Sequence, residues 1–321
     1  MSDEVFAGRA SDTAGAAEGG VLARFEGDIP PSPDWFRKAI AEPYETGAEK
    51  VNGARIAWQR WGRRGAPGLI LVHGNGASAH WWDFIAPFFS KTHNVAALNF
   101  SGMGDSDWRE TYSIRTFSEE IVAVMEATGL FEARVKPVMV AHSFGGTVSV
   151  DTATAFGDRF SGVVIADSVI PWPDMPSKFR PLPIRPNRIY EHMNEALSRF
   201  RLDPPQPCEN VFLVDYIARW GIEKVEGGYR WRFDPRTRGV ALPDDRLMGK
   251  LKTAKCRIAL VRGEDSDLVT DEVVAYNRKE LGEAVPYISI PQAYHHLMLD
   301  QPMAFVSTIR TLLEMWNPSE T

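Results

Sequence analysis

The chain has 321 residues, 44% hydrophobic and 24% charged, with a net charge of −6 at pH 7 and a pI of about 5.7. This composition is that of a globular chain with one large domain or two smaller ones. The acidic balance argues against a nucleic-acid binder, which usually has a basic stripe, and no apolar run reaches the length of a membrane-spanning helix. We therefore expect neither nucleic acid nor a membrane as a partner.

The first twenty residues, Met1 to Gly20, are rich in Ala, Gly, Asp and Glu. They lack the basic start and the apolar stretch of a secretory signal. We predict a disordered extension over residues 1–29. Two cysteines, Cys208 and Cys256, are too few for a disulfide framework, so a reducing cytoplasm is the expected location.

From Val51 onward, short β-branched runs alternate with amphipathic stretches. Val51 to Trp61 predicts a hairpin whose turn is at Asn52-Gly53 or at Gly62. The unbroken apolar run at 69–73 predicts a buried strand, and largely apolar, β-branched runs predict further strands at 95–99, 135–140, 162–167, 258–261 and 286–290. Helical spacing predicts helices at 79–90, 116–130, 271–281 and 303–316, with a further helix between the strands at 135–140 and 162–167. Thr116 and Glu119 are the predicted capping box of the second helix.

Residues 171–250 interrupt this alternation. They hold half of the 22 prolines, many aromatic residues and helical spacing at 188–200 and 211–220. An aromatic-rich insertion after the sixth strand predicts a lid over the carboxyl ends of the sheet, and the alternative is a structural layer without a role in binding. The core then comprises residues 30–170 and 251–321, with strands and helices in the order of a mostly parallel, doubly wound sheet.

The segment Val140 to Gly146 reads Val-Ala-His-Ser-Phe-Gly-Gly, after a predicted strand and before a helix. A serine between small residues two positions away on either side is typical of a nucleophile elbow, which holds the hydroxyl at the carboxyl end of the sheet. Ala141 replaces the first glycine of the usual Gly-x-Ser-x-Gly pattern, and only a small side chain is required there. Ser143 is therefore the candidate nucleophile.

Four motifs in order resemble those of the α/β-hydrolase superfamily, from about Val51 to the end of the chain. The first is His73-Gly74-Asn75-Gly76, which is like the family's oxyanion loop, and the second is residues 99–106, which are like its Asp-x-x-Gly-x-Gly-x-Ser turn with Asn99 in place of the leading Asp. The third is the elbow at Ser143. The fourth runs from His295 to Pro302 and is like the family's histidine loop. The resemblance implies an α/β-hydrolase fold: a mostly parallel eight-stranded sheet, helices on both faces and a helical lid inserted after the sixth strand. It also implies an enzyme without a cofactor.

The resemblance implies a base and an oxyanion hole. His295 stands seven residues before Pro302, which is the family's spacing from its catalytic histidine to the proline that opens the last helix. His296 is the alternative candidate for the base, and we expect it instead to support the catalytic residues from behind or to pack. The expected oxyanion donors are the backbone N–H groups of Asn75 and Phe144, the latter at a helix N-terminus that favours an anion.

The acid of the triad has two candidates. Its usual position in the family, three residues beyond the glycine that ends the seventh strand, is Ser266 here, with Asp265 and Asp267 on either side. A second position used in the family, the end of the sixth strand, is Asp167. We place Asp167 slightly ahead of Asp267, and a capping role is the alternative for each.

These residues predict a serine hydrolase that cleaves a carboxylic ester or lactone through an acyl-enzyme on Ser143. A serine disfavours the family's epoxide hydrolases and haloalkane dehalogenases, which use an aspartate at this position. Hydrolysis of amide or C–C bonds, a non-hydrolytic receptor, and a cofactor-free lyase or peroxidase are the alternatives, because a fold does not fix a substrate.

The aromatic lid favours a small acyl substrate with an apolar or aromatic group. Candidate pocket residues are His142, Trp82, Trp172 and Trp220. The seven histidines form no His-Glu-x-x-His motif and no Cys/His cluster, so we expect no metal. A homodimer is compatible with the resemblance, although no residue pattern predicts one.

Overall fold

The computed structural model describes residues 20–171, 186–240 and 246–316. The strands are β1 (Glu45–Val51), β2 (Ala54–Trp61), β3 (Gly68–Val72), β4 (Asn94–Leu98), β5 (Val138–His142), β6 (Gly162–Ala166), β7 (Ile222–Val225), β8 (Gly228–Trp231), β9 (Arg257–Gly263) and β10 (Tyr287–Ile290). The α-helices are α1 (Asp34–Ile40), α2 (Ile114–Ala127), α3 (Phe144–Phe156), α4 (Met193–Ser198), α5 (Val211–Trp220), α6 (Arg246–Lys252), α7 (Asp271–Leu281), α8 (Leu297–Asp300) and α9 (Pro302–Trp316). None of the helices in these ranges has the length and apolar character needed to cross a bilayer.

The main sheet has eight strands in the order β1-β2-β4-β3-β5-β6-β9-β10. β1 and β2 form an antiparallel hairpin, β2 is antiparallel to β4, and the strands from β4 to β10 in this order are parallel. The hairpin turn is at Asn52-Gly53, where both residues have positive φ, as a two-residue turn of this kind requires. The predicted α/β-hydrolase fold is confirmed.

The central strands β3 to β6 are buried at every position and mostly apolar, because both faces of the sheet are covered. In β3, Leu69 and Leu71 face one core cluster, whereas Ile70 and Val72 face the other. The first cluster includes residues of α9, and the second includes residues of α2 and α3. Burying one such side chain contributes about 1.5–3 kcal/mol, so the unbroken apolar runs hold the sheet between two helical layers.

The start of α2 differs from the prediction. The helix begins at Ile114, and its cap is Ser113, whose side chain accepts a hydrogen bond from the Thr116 N–H at 3.1 Å. Thr116 therefore belongs to the first turn of the helix and is not its cap.

Residues 20–29 also differ from the predicted disordered extension. They contain a 3₁₀ turn at Ala23–Phe25, and Leu22 is buried in an apolar cluster with Leu197 and Val214 of the insertion. The guanidinium of Arg219 donates hydrogen bonds to backbone carbonyls of this segment. A few apolar side chains therefore fix the segment on its neighbour. The rest of the predicted extension, residues 1–19, lies outside the described residues.

The insertion between β6 and β9 contains α4 and α5, close to the predicted helical pieces. It also contains the antiparallel hairpin of β7 and β8, which helical spacing did not predict. The hairpin turns at Glu226 and Gly227, and Gly227 and the next residue, Gly228, both have positive φ. α6 rejoins the core, because Leu247 and Leu251 pack in the same cluster as Val148 of α3. We call residues 186–240 the cap.

Candidate active site

Ser143 forms a strained turn between β5 and α3. Its φ of 54° and ψ of −122° are rare for a residue with a side chain. The backbone N–H of Ser143 donates to the carbonyl of Ala166 in β6 at 2.9 Å. A Cβ on Gly145 would lie 2.5 Å from the carbonyl oxygen of His73, so only glycine fits two residues after the serine. The packing of two strands thus holds the turn.

His295 lies in the loop between β10 and α8, and its ring joins Ser143 to Asp167. His295 Nε2 is 2.9 Å from Ser143 Oγ, and His295 Nδ1 is 2.8 Å from Asp167 Oδ1. The side chains of His295 and Asp167 are 3% and 0% exposed. The structure therefore brings together the three residues that the sequence predicts as nucleophile, base and acid.

The carboxylate of Asp167 is surrounded by donors. Asp167 stands at the end of β6 with a φ of 45°. Its Oδ2 accepts the N–H of Gly263 at 2.8 Å, and its Oδ1 accepts the hydroxyl of Ser266 at 2.7 Å. Because a carboxylate only accepts, His295 donates through Nδ1 and keeps Nε2 free to accept the proton of Ser143.

Ser266 contributes to this arrangement, although the sequence analysis gave it no role. Its oxygen accepts the N–H groups of Leu268 and Val269, both at 3.2 Å, which directs its own hydrogen towards Asp167. The alternative acid, Asp267, is exposed. The sequence signal for this role is the position of Ser266. It stands where the family usually has its acid, and its hydroxyl binds Asp167, the carboxylate that binds His295.

The oxyanion loop passes directly over Ser143. A Cβ on Gly74 would lie 3.1 Å from the Cβ of Ser143, so glycine permits the approach. His73 donates through Nδ1 to the Gly74 carbonyl at 2.7 Å and accepts the N–H of Phe100 at Nε2 at 3.1 Å. Burial lowers the pKa of His73 to about 4, which keeps its ring neutral for this double role. His73 therefore positions the loop.

Two backbone N–H groups near Ser143 lack a partner. Within the described ranges, neither the Asn75 N–H nor the Phe144 N–H has a hydrogen-bond acceptor. Asn75 lies at the tip of the oxyanion loop, and Phe144 opens α3. They are the two predicted oxyanion donors.

Three buried histidines meet behind the serine. His142 donates through Nε2 to the carbonyl of His295 at 2.9 Å, and burial, followed by the proximity of His295, holds the pKa of His142 well below its usual value. Ring nitrogens of His142, His295 and His296 lie within 4.8 Å of one another. A metal ion bound there would displace the hydrogen bond of His295 to Ser143 or to Asp167.

The cap is attached to the histidine loop by polar side chains. Gln206 donates to both oxygens of Asp300 at 3.0 and 2.9 Å and accepts the His296 N–H at 2.8 Å. Asp300 also accepts the N–H of Tyr294 at 2.8 Å, and Asn210 donates to the carbonyl of Leu299 at 2.7 Å. These bonds fix the backbone on both sides of His295.

Asp300 gives the stability of this loop a pH dependence. Burial raises its pKa to about 6, above the 3.8 of an unfolded chain, so the folded state binds the proton more tightly. The folded state therefore loses stability as pH rises from about 4 to about 6.

Asp300→Asn cannot ionise and avoids this loss. We expect the variant to gain about 1–2 kcal/mol of unfolding free energy relative to wild type between pH 4 and pH 7, after allowance for solvent screening. Urea denaturation at both pH values measures this, and an equal pH dependence in variant and wild type would contradict it. The exposed Asp267→Asn is the matched control.

A cavity of about 320 Å³ separates the oxyanion loop from the cap. Its walls include Asn75, Trp81 and His296 from the core and Phe200, Trp231 and Phe233 from the cap. The wall is thus a mixture of aromatic and polar groups, as expected for a small-molecule site.

Of the three predicted pocket residues that the structure describes, none lines this cavity. Trp82 is fully buried and stacks on Phe305. Trp220 stacks on His80 with ring centroids 3.6 Å apart, and His142 lies behind His295. Trp172 lies outside the described residues. The aromatic content of the sequence alone did not distinguish the side chains of the core from those that line the cavity.

Comparison with known proteins places this arrangement in a family. The Alpha/beta hydrolase family profile matches residues 69–308. Esterase Rv0045c of Mycobacterium tuberculosis is 26% identical over 286 residues, which cover 83% of this chain and 89% of the esterase. The bifunctional esterase/perhydrolase DCH of Acinetobacter calcoaceticus is 26% identical over 261 residues, which cover 76% and 90%.

Solved structures agree in fold. The thioesterase domain from the curacin biosynthetic pathway has a TM-score of 0.70 and 20% identity, covering 84% of this chain and 99% of the domain. The match over residues 69–308 includes the oxyanion loop, the elbow and the histidine loop. The chain therefore belongs to the alpha/beta hydrolase family, as the resemblance of its motifs predicts, and its enzyme class is that of the hydrolases.

Proposed function

We propose that this chain is a serine hydrolase that cleaves carboxylic esters or lactones through an acyl-enzyme on Ser143. The observation that carries the proposal is the hydrogen-bonded series from Ser143 Oγ through the ring of His295 to Asp167. A hydroxyl is a poor nucleophile until a neighbouring base accepts its proton, and this series supplies that base with its tautomer fixed.

The proposed reaction has two halves. Ser143 Oγ attacks the ester carbonyl while His295 Nε2 accepts the hydroxyl proton, and the carbonyl oxygen becomes an anion that the N–H groups of Asn75 and Phe144 stabilise. His295 returns the proton to the departing alcohol, which leaves an acyl group on Ser143. Water then attacks the acyl carbonyl, His295 accepts its proton, and the collapse of the intermediate releases the acid and restores Ser143.

The named esterases among the relatives support esters as the bond type, and no cofactor is needed in any step. A fluorophosphonate probe and p-nitrophenyl esters of graded chain length test this. We expect covalent labelling that peptide mass spectrometry maps to Ser143, together with turnover of the shorter esters. Heat-denatured protein is the control. A folded protein that is neither labelled nor active would favour a receptor on the same scaffold, and labelling without ester turnover would favour the amide, C–C bond or lyase alternatives.

A further inference from the structure

His296 is a buried polar side chain that the proposed reaction does not use. It is 4% exposed, yet neither Nδ1 nor Nε2 of its ring has a hydrogen-bond partner among the described residues. Leaving a buried polar group unpaired costs about 1–3 kcal/mol, so an apolar side chain of similar size would stabilise the fold better. Packing alone, one of the two roles expected from the sequence, does not explain a histidine at this position.

The ring nitrogens of His296 are not needed to hold the histidine loop. The backbone N–H of His296 is bound by Gln206, and its ring packs at 5.3 Å from Trp81 and 4.7 Å from His295 between centroids. Backbone hydrogen bonding and ring packing therefore set the position of the side chain. Its two ring nitrogens are buried and form no hydrogen bond among the described residues.

The ring forms part of the wall of the cavity between the oxyanion loop and the cap. The same cavity reaches Asn75, one of the two predicted oxyanion donors, so a substrate that occupies it beside Asn75 would also meet His296. The remaining wall combines aromatic residues with charged ones, which are Trp81, Phe200, Trp231 and Phe233 and Arg199, Arg201, Asp203, Arg232 and Arg238. His296 is therefore an uncharged polar group in a wall of aromatic and charged side chains, next to His295.

The ring is neutral. Burial, then the proximity of His295 and His142, holds the pKa of His296 well below its usual value. The nearby Pro204 carbonyl acts in the opposite direction without completing a hydrogen bond to either nitrogen. A neutral imidazole has one donor and one acceptor, and a hydroxyl group can pair with either of them.

We propose that His296 is a specificity-determining residue that binds a hydroxyl group on the substrate, and that the preferred substrates are hydroxy-substituted esters. The proposal rests on the proposed hydrolase function. An unsubstituted ester leaves both ring nitrogens unpaired when the cavity is filled and water is excluded. A site built to hydrogen-bond a substrate hydroxyl discriminates in this way against the analogue that lacks it.

Matched ester pairs test the proposal on both sides of the scissile bond. The acyl pair is p-nitrophenyl 3-hydroxybutyrate and p-nitrophenyl butyrate, and the alcohol pair is 2-hydroxyethyl butyrate and ethyl butyrate. We expect the wild type to favour the hydroxy ester of one pair by about tenfold in kcat/KM, consistent with one neutral hydrogen bond. His296→Phe should reduce that ratio to about one, and His296→Gln should retain part of it, because an amide supplies both a donor and an acceptor. Phe233→Leu, in the same cavity wall, should change both esters of a pair by a similar factor and keep the ratio.

A wild-type ratio near one in both pairs would overturn the proposal, as would a preference that His296→Phe leaves in place. In either case, turnover of the plain esters leaves the hydrolase function standing. Absence of all ester turnover together with absence of labelling at Ser143 overturns the hydrolase function and, with it, the role of His296. The wild-type ratios require no variant, so the test holds even if His296→Phe does not fold.

Discussion

Replacing Ser143 with alanine is expected to lower kcat/KM for every ester substrate by at least about 10⁴-fold. The change removes the hydroxyl oxygen that lies 2.9 Å from His295 Nε2 and that attacks the substrate carbonyl in the proposed reaction. The elbow itself should persist, because alanine is as small as serine and the close contact at Gly145 is unchanged. Steady-state kinetics with a p-nitrophenyl ester measures the loss.

Ser168→Ala is the matched control for this variant. Ser168 is a buried serine next to the same turn, since a Cβ added to Gly146 would lie 2.6 Å from the Cβ of Ser168. The Oγ of Ser168 is 3.4 Å from the Thr147 hydroxyl. It makes no contact with His295 in the described structure, so we expect activity within about threefold of wild type, the loss of at most one weak hydrogen bond. Residual activity in Ser143→Ala equal to that of Ser168→Ala would show that another residue is the nucleophile.

Asp167→Asn is expected to lower kcat by roughly 10³- to 10⁴-fold. The reason lies in the donors around the carboxylate. The Gly263 N–H needs an acceptor, so the oxygen of the new amide should face Gly263 and its NH₂ should face His295. His295 must then accept at Nδ1 and carry its proton on Nε2, the tautomer that cannot accept the proton of Ser143.

Asp267→Asn is the isosteric comparison, and we expect it to retain nearly full activity because Asp267 is exposed. The two variants are measured side by side for kcat, with thermal unfolding to show that both are folded. A larger loss in Asp267→Asn than in Asp167→Asn would transfer the role of the acid to the loop after β9. Ser266→Ala should fall between them, at up to about tenfold, because it removes one hydrogen bond to Asp167.

The sheet explains why a serine can stand at the position where the family usually has its acid. The ends of β6 and β9 are adjacent in the sheet, so a carboxylate from either strand can reach Nδ1 of the histidine. Here Asp167 supplies the carboxylate from β6, and Ser266 supplies a hydroxyl from the loop after β9 that binds it. The site keeps one buried negative charge and satisfies its oxygens with fixed donors.

The parallel sheet could be predicted from the sequence because its central strands are buried on both faces and are mostly apolar. The turn at Asn52-Gly53 could be predicted because it needs a positive φ that Asn and Gly tolerate. The cap hairpin could not, since β7 and β8 are short, half-buried and without regular alternation. The placement of Leu22 on the cap likewise depends on residues far away in the chain.

The sequence by itself determined the family, the elbow at Ser143 and the spacing of His295 from Pro302, because these are local patterns read along one segment. Only the tertiary structure decided which carboxylate meets His295, that Ser266 binds that carboxylate, and that His296 lies in a cavity wall while Trp82 lies in the core. Each of these depends on distances between residues from separate elements. A one-dimensional pattern records which side chains are present, whereas packing decides which atoms meet.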